Sequence, residues 1–302
     1  MVDQSSNAAA ESLIAPGRLA LSLSYKGTAY HGWQSQNNDL PCIQDFLEAA
    51  ISKVANEQVE VVCAGRTDKS VHASHQVVHF ETTATRTAHS WVFGCNANLP
   101  KDISVSWVGA VSEDFHARFS AIRRRYHYLI YNYPVRPSSF FDDLTWCYDP
   151  LSETLMHEAA QTLVGYHDFT SFRAVGCQSK SPFRHLDFLN VRRFGHIVMI
   201  DVQGNAFLHH MVRNVAGVLM AIGANSKPVS WCRDVLEAKD RTKGGVTAQP
   251  HGLYLTDVHY PGAFGVCGSS GAPSIIQSML QMAAYNDAKF LEAPWDLSRS
   301  TK

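Results

Sequence analysis

The sequence predicts an α/β (α+β) protein, because short apolar runs of period two alternate along the chain with longer runs of helical period. Leu19, Leu21 and Leu23 share a period of two, as do Val59, Val61 and Cys63, and again Ile103, Val105 and Trp107. Between the first two runs, Ile43, Phe46, Leu47, Ala50, Ile51 and Val54 fall on one face of a helix. With 45% hydrophobic and 18% charged residues among 302, the chain can bury one large core or two moderate ones.

In order, the opening MVDQSSNAAAESLIAPG carries acids where a secretion signal needs positive charge, and residues 1–17 read as a disordered leader. Leu19 to Leu23 make a first strand ending at Tyr25, a polar loop follows, and 42–55 is an amphipathic helix packed on the sheet. Val59 to Glu81, VEVVCAGRTDKSVHASHQVVHFE, then reads as a strand, a tight polar turn and a second strand, both half-buried. In the turn Gly65-Arg66-Thr67-Asp68, the glycine permits a sharp bend at positive φ, and Asp68 is held at a strand end where it can be aimed into a cleft. Arg66, two positions earlier, neutralises part of the Asp68 field and favours the ionised carboxylate.

A short helix near 88–96 closes at Asn98-Leu99-Pro100, since the residue before proline leaves the helical region. After the strand through Ile103, the stretch DFHARFSAIRRRYHYLIYN holds another, with Arg125, His127 and Leu129 on one face and Tyr126, Tyr128 and Ile130 on the other. The Pro-containing loop from Tyr133 to Ser139 marks a hinge between an N-terminal half, 18–133, and a C-terminal half, 134–261. Leu151, Leu155, Ala159 and Leu163 make a second amphipathic helix, with strands near 183–193 and 196–203. Phe207 to Ile222 is a strongly apolar helix interrupted by Arg213; burying an unpaired arginine is costly, so this one faces solvent or meets an acid. Residues 262–302 form a Gly/Ser-rich linker and a short helix through Ile275, Ile276, Met279, Met282 and Ala283, with no assigned role.

No apolar run approaches the roughly 18 residues of a membrane span, so the cytoplasm is the default location. Seven cysteines without a C-x-x-C pair argue against a disulfide framework and a zinc ribbon, and most read as buried thiols. The net charge of -1 speaks against nucleic-acid binding, but the positive charge is clustered. Arg118, Arg123, Arg124, Arg125 and Arg136 follow one another with no acid between them, Arg192 and Arg193 form a pair, and Lys239, Arg241 and Lys243 form a third patch. Each cluster taken alone is equally a solvated face.

GRTD followed by VHA and QVVHF resembles the signature of the TruA-type tRNA pseudouridine synthases, and further blocks of the same likeness extend it over about 18 to 260. These are YKGTAYHGWQSQ, DFHARFSAIRRRYHYLIYN, GYHDFTSF, Phe207-x-x-x-Met211-Val212-Arg213 and Pro250-His251-Gly252-Leu253-Tyr254-Leu255. The chain departs from the pattern at Lys26, Lys69, Ser70 and Ser74-His75. The resemblance implies two similar halves, each a mainly antiparallel sheet backed by helices, facing a central RNA-binding cleft. It implies a homodimer acting on tRNA, with no cofactor and no metal, that converts uridine to pseudouridine in the anticodon stem-loop, at positions 38–40 of the tRNA. Asp68 is then the catalytic carboxylate and Arg213 its partner. Tyr126 stacks on the target base, Leu253 lines the uracil pocket and Arg66 fills the space the flipped base vacates. Arg123, Arg124 and Arg125 contact RNA. In the first loop Tyr30, His31, Trp33 and Gln36 fit either a packed aromatic corner or an RNA contact.

The reaction detaches uracil from its ribose, turns it and rejoins it through carbon. Asp68 can serve it as a nucleophile at the sugar or the ring, or as a base at the sugar. Two rival readings come from other classes. A metal centre of His72, His75, His79 and Asp68 meets a spacing objection, because His75 and His79 lie about 13 Å apart along a strand. A non-catalytic RNA-binding module of the same fold would have no use for Asp68 or Tyr126, and this chain has both.

Overall fold

The computed structural model describes residues 12–36, 40–139 and 141–266. Most of the expected leader and the expected helix near 275–283 lie outside them. In chain order the elements are β1 (Leu13–Ile14), β2 (Gly17–Tyr25), α1 (Ile43–Ala55), β3 (Val62–Cys63), β4 (His72–Thr82), β5 (Arg86–Thr87), α2 (Ala88–Asn98) and β6 (Ile103–Ala110). There follow β7 (Arg123–Asn132), β8 (Thr145–Cys147), α3 (Glu153–Ala160), β9 (Gly165–Asp168), β10 (Phe183–Phe194), β11 (Ile197–Gly204), α4 (Met211–Gly223), α5 (Trp231–Ala238) and β12 (Leu253–His259).

Local chemistry sets the helix limits. α1 buries Ile43, Leu47, Ala50, Ile51 and Ala55 and stops where Asn56 turns left-handed. Thr87 caps α2 by accepting the Ser90 amide, and Ser152 caps α3 by accepting that of Leu155. Within the expected leader, β1 pairs with β5 through Leu13–Thr87 and Ile14–Arg86, a ladder of backbone bonds that composition cannot reveal.

The main sheet runs β6-β2-β4-β12-β7-β11-β10-β9, with β3 beside β4 and β8 beside β7. It is antiparallel except where β12 meets β4 and β8 meets β7. The mixed, mainly antiparallel fold is the one the sequence predicts. Two expectations change. β4 is not half-buried: all of it except Ser74 and Glu81 is buried, because it lies inside the sheet with layers on both faces. The sheet also runs unbroken across the expected hinge. β7, before the Tyr133–Ser139 loop, pairs on both edges with strands from beyond it, β11 and β12. The last strand returns to the middle of the sheet, so the two halves share strands.

That return divides one edge of β4 between two strands. β12 pairs with the start of β4 (Tyr254–His72, Leu255–Ala73), and β3 takes the same edge farther along (Val62–His79, Cys63–Val78). Residues 64–71 cross the gap between them. Tyr126, Tyr128 and Ile130 of β7 enter the main core, while Leu129 joins a small cluster with Met199 and Tyr254. Of the described cysteines, Cys42, Cys63, Cys95 and Cys232 are buried.

Candidate active site

The turn that crosses the gap is held at nearly every residue. Gln76 of β4 bonds the Gly65 peptide in both directions, Nε2 donating to the carbonyl at 2.6 Å and Oε1 accepting the amide at 3.3 Å, so a side chain continues the ladder where β3 has left it. The Tyr25 hydroxyl lies 2.8 Å from Thr67 Oγ1, and the Trp33 amide donates to the Thr67 carbonyl at 3.0 Å. The Ser70 amide reaches the Tyr30 carbonyl at 3.3 Å. Gly65 does not take the positive φ expected of it; Ser70 does, at 62°, and so does Gly32 at 98°, where the first loop presses on the turn. A Cβ at Gly32 would stand 2.7 Å from the Thr67 carbonyl oxygen. Tyr30 and Trp33 are buried, which makes that loop a packed aromatic corner, while His31 lines the cleft beside Lys69, its Nε2 3.1 Å from Lys69 Nζ.

Asp68 is therefore fixed over a cleft of about 1440 Å³, with its side chain 26% exposed. Its partner comes from 145 residues away: Arg213, on the first turn of α4, donates from Nη1 to Asp68 Oδ2 at 3.2 Å and from Nε to the Ala248 carbonyl at 2.9 Å. The guanidinium is only 13% exposed, so of the two options open to this arginine the structure takes the acid. Tyr126 and Leu253, both buried, line the same cleft, and the Tyr126 ring meets Phe207 edge-on at 4.9 Å. Burial pushes the Tyr126 hydroxyl up to about 12, so it stays protonated at neutral pH.

Arg66 also lines the cleft but is exposed, and among the described residues no ion pair joins it to Asp68. Thr67, between them in the chain, is buried. Nor do the three consecutive arginines make one RNA-facing patch. Arg123 pairs with Asp187 at 2.6 Å, and Arg125 makes a two-point pair with Asp201 at 2.7 and 2.8 Å. Arg124, on the opposite face of β7, is buried and gives its protons to the carbonyls of Ala64, Arg118 and Asn205. It clamps the turn that carries Asp68 to the sheet. Alternation on a strand decides this, since neighbours in sequence point to opposite faces.

Sequence reasoning missed His209 and His210, which it absorbed into the apolar helix. The helix starts at Met211, because His210 is left-handed at φ 58°. Nε2 of His209 lies 3.4 Å from Asp68 Oδ1, and Nε2 of His210 lies 3.3 Å from Oδ2. Two imidazoles three and four residues ahead of an arginine on a helix start were the available signal. The ligand atoms of Asp68, His209 and His210 fall within 4.8 Å of one another, close enough to meet one cation. Arg213 already shares Asp68 Oδ2, however, and its fixed positive charge opposes a metal there. His72 and His79 are occupied elsewhere, each accepting a backbone amide at Nδ1, from Gly27 and Ala117 respectively.

The sequence matches the family model described as tRNA pseudouridine synthase over residues 22–120 and 159–261. It is 57% identical over 258 residues to a Pseudomonas aeruginosa protein named tRNA pseudouridine synthase A, covering 85% of this chain and 90% of that one. Proteins of the same name from Pseudoalteromonas atlantica and Coxiella burnetii are 56% and 54% identical over 247 residues, each match covering 82% of this chain and 94% of the relative.

Proposed function

This chain belongs to the tRNA pseudouridine synthase family, and we propose that Asp68 is the carboxylate with which it isomerises uridine to pseudouridine in tRNA. The observation that carries the assignment is the meeting of Asp68 and Arg213 across 145 residues at 3.2 Å, in a cleft walled by Tyr126 and Leu253. A carboxylate needs support to stay ionised when a base and ribose cover it, and a buried guanidinium supplies that support without itself titrating.

In this reading the target nucleotide leaves its stack, at a cost of a few kcal/mol, and the Tyr126 ring returns part of that cost by stacking on uracil. Leu253 closes the apolar side of the pocket. Arg66, exposed on the rim, is free to enter the space the base has left. Phosphate contacts fall to the exposed rim cations Arg66, Lys69 and Arg118, with Arg123 and Arg125 contributing at most through the faces their acid partners leave open.

The finer reading, that the uridines lie in the anticodon arm, follows the family resemblance, as does the homodimer; the cytoplasmic location stays the default of the sequence. Among the described residues no helix is long and apolar enough to cross a membrane. For the dimer, Trp146, Tyr148 and Val135 offer an exposed apolar surface at the end of β7 and β8.

The test is incubation of the full chain with an unmodified tRNA transcript in the presence of a chelator, followed by mapping of pseudouridine. Conversion in the anticodon arm by the wild type, together with its loss in Asp68→Asn at unchanged tRNA affinity, is expected. Residual turnover in Asp68→Asn above about one part in 10² of wild type, the low end of what a positioned acid or base contributes, would remove Asp68 as the essential group. Loss on chelation that zinc restores would favour the metal reading.

A further inference from the structure

Consecutive residues on a helix or strand point far apart. His209 and His210 instead bring both rings to one carboxylate, with centroids 4.0 Å apart, because His210 is left-handed. For a residue with a Cβ that conformation costs about 1 kcal/mol or more, and such strain concentrates where function needs it. Both rings line the cleft, with side chains 44% and 28% exposed for His209 and His210.

The isomerisation makes a demand beyond the carboxylate. The N1–C1′ bond breaks and the C5–C1′ bond forms. The proton on C5 must then leave, its bonding pair re-forming the C5–C6 double bond, while N1 gains a proton. No electrons are exchanged and the proton count is unchanged, so one acceptor that later donates is enough.

Resting on the reading of Asp68 given above, we propose that His210 is that group, a catalytic residue whose Nε2 takes the C5 proton and returns a proton at N1. The imidazolium formed in between stands against the Asp68 carboxylate, 3.3 Å away, so the charge created at one group is met by the other. The groups facing His210 are Asp68, Arg213, His209 and Arg241. Burial holds its pKa below the usual histidine value; Asp68 opposes that, while Arg213, His209 and Arg241 add to it. At neutral pH the ring is therefore neutral, the form that accepts a proton. His209, its ring tilted against that of His210 and its Nε2 3.4 Å from the other carboxylate oxygen, is a positioning residue.

The experiment is single turnover at saturating tRNA, using transcripts made with ordinary or C5-deuterated uridine. His210→Asn is the first variant, since asparagine tolerates the left-handed backbone, and His210→Gln the second. The rate is expected to fall by about 10²-fold, the scale of a lost general base, with tRNA affinity kept and the H/D rate ratio raised above that of wild type. The ratio is read on the active fraction alone, so partial misfolding lowers the amplitude and leaves the ratio intact. A fall in rate with no rise in the ratio, or a loss of affinity in proportion to rate, overturns the assignment of His210. If the wild type makes no pseudouridine from either transcript, the reading of Asp68 falls, and this inference with it.

Discussion

Arg213 shows how one residue can tie a helix to the candidate site. Its guanidinium is a fork, and both prongs are used: Nε ties the helix to the Ala248 carbonyl while Nη1 reaches Asp68. A lysine has the charge but a single head, and cannot hold both acceptors. Arg213→Lys is therefore expected to fold and bind tRNA while kcat drops at least about tenfold, the loss of one charge-assisted bond of roughly 1.5–3 kcal/mol. Equal kcat in steady-state assays would show that only charge is needed. Gly32 is the second residue with a sharp consequence. Gly32→Ala adds strain at a φ of 98° and drives a Cβ against the Thr67 carbonyl, which anchors the residue before Asp68. Calorimetry should show a loss of about 1–3 kcal/mol, and the activity of the folded fraction should fall as well, because the displaced atom belongs to the turn that carries Asp68. A variant with full activity per folded molecule would show that the turn tolerates the shift.

Among the elements, β4 carries the chemistry of acid stability. Buried in the sheet, it holds His72 and His79 as neutral acceptors of backbone amides, and burial lowers each to about 4. The unfolded chain titrates these histidines near pH 6.5, so between about 6.5 and 4 it binds protons the folded state refuses. Stability from this source is full above pH 6.5 and falls as the pH drops toward 4. A His72→Asn, His79→Asn double variant keeps an acceptor near each Nδ1 position and removes the titration, so its Tm should vary less across that window. An unaltered slope of Tm with pH would move the acid sensitivity to other groups. β7 is the other informative element. Its alternation places Arg125 and His127 against Asp201, whose carboxyl burial would raise but whose bonds to Arg125 and His127 bring down to about 2, and it turns Arg124 inward to the turn that carries Asp68.

At the scale of the molecule, a chain of net charge -1 meets a polyanion only through local fields. The exposed cations of the cleft, Arg66 and Arg118, should each lower the slope of log Kd against log salt by about one when changed to glutamine. Arg125→Gln, whose charge is already spent on Asp201, should leave the slope alone. If the two groups behave alike in filter-binding titrations, the ion pairs of β7 open to RNA and the rim assignment is wrong. The elements were legible because burial imposes period two on strands and 3.6 on helices; the limits of α1, α2, β10 and β11 fall close to where the pattern puts them. The helix start at Met211 was not, because a left-handed histidine leaves no mark on an apolar periodicity.

What the sequence determined by itself, then, was local: which stretches fold as strand or helix, that Asp68 stands on a turn between two strands, and that Arg213 needs either water or an acid. Each follows from solvation and backbone geometry within a few residues. Tertiary structure alone decided the pairings. It chose the acid for Arg213, sent β12 back to the centre of the sheet, took Arg124 out of the positive run to clamp the turn, and set two histidines beside Asp68. These depend on contacts between segments up to 182 residues apart, the separation of Tyr254 and His72. The pattern of side chains along a strand or helix fixes its faces, but not the partner each face meets.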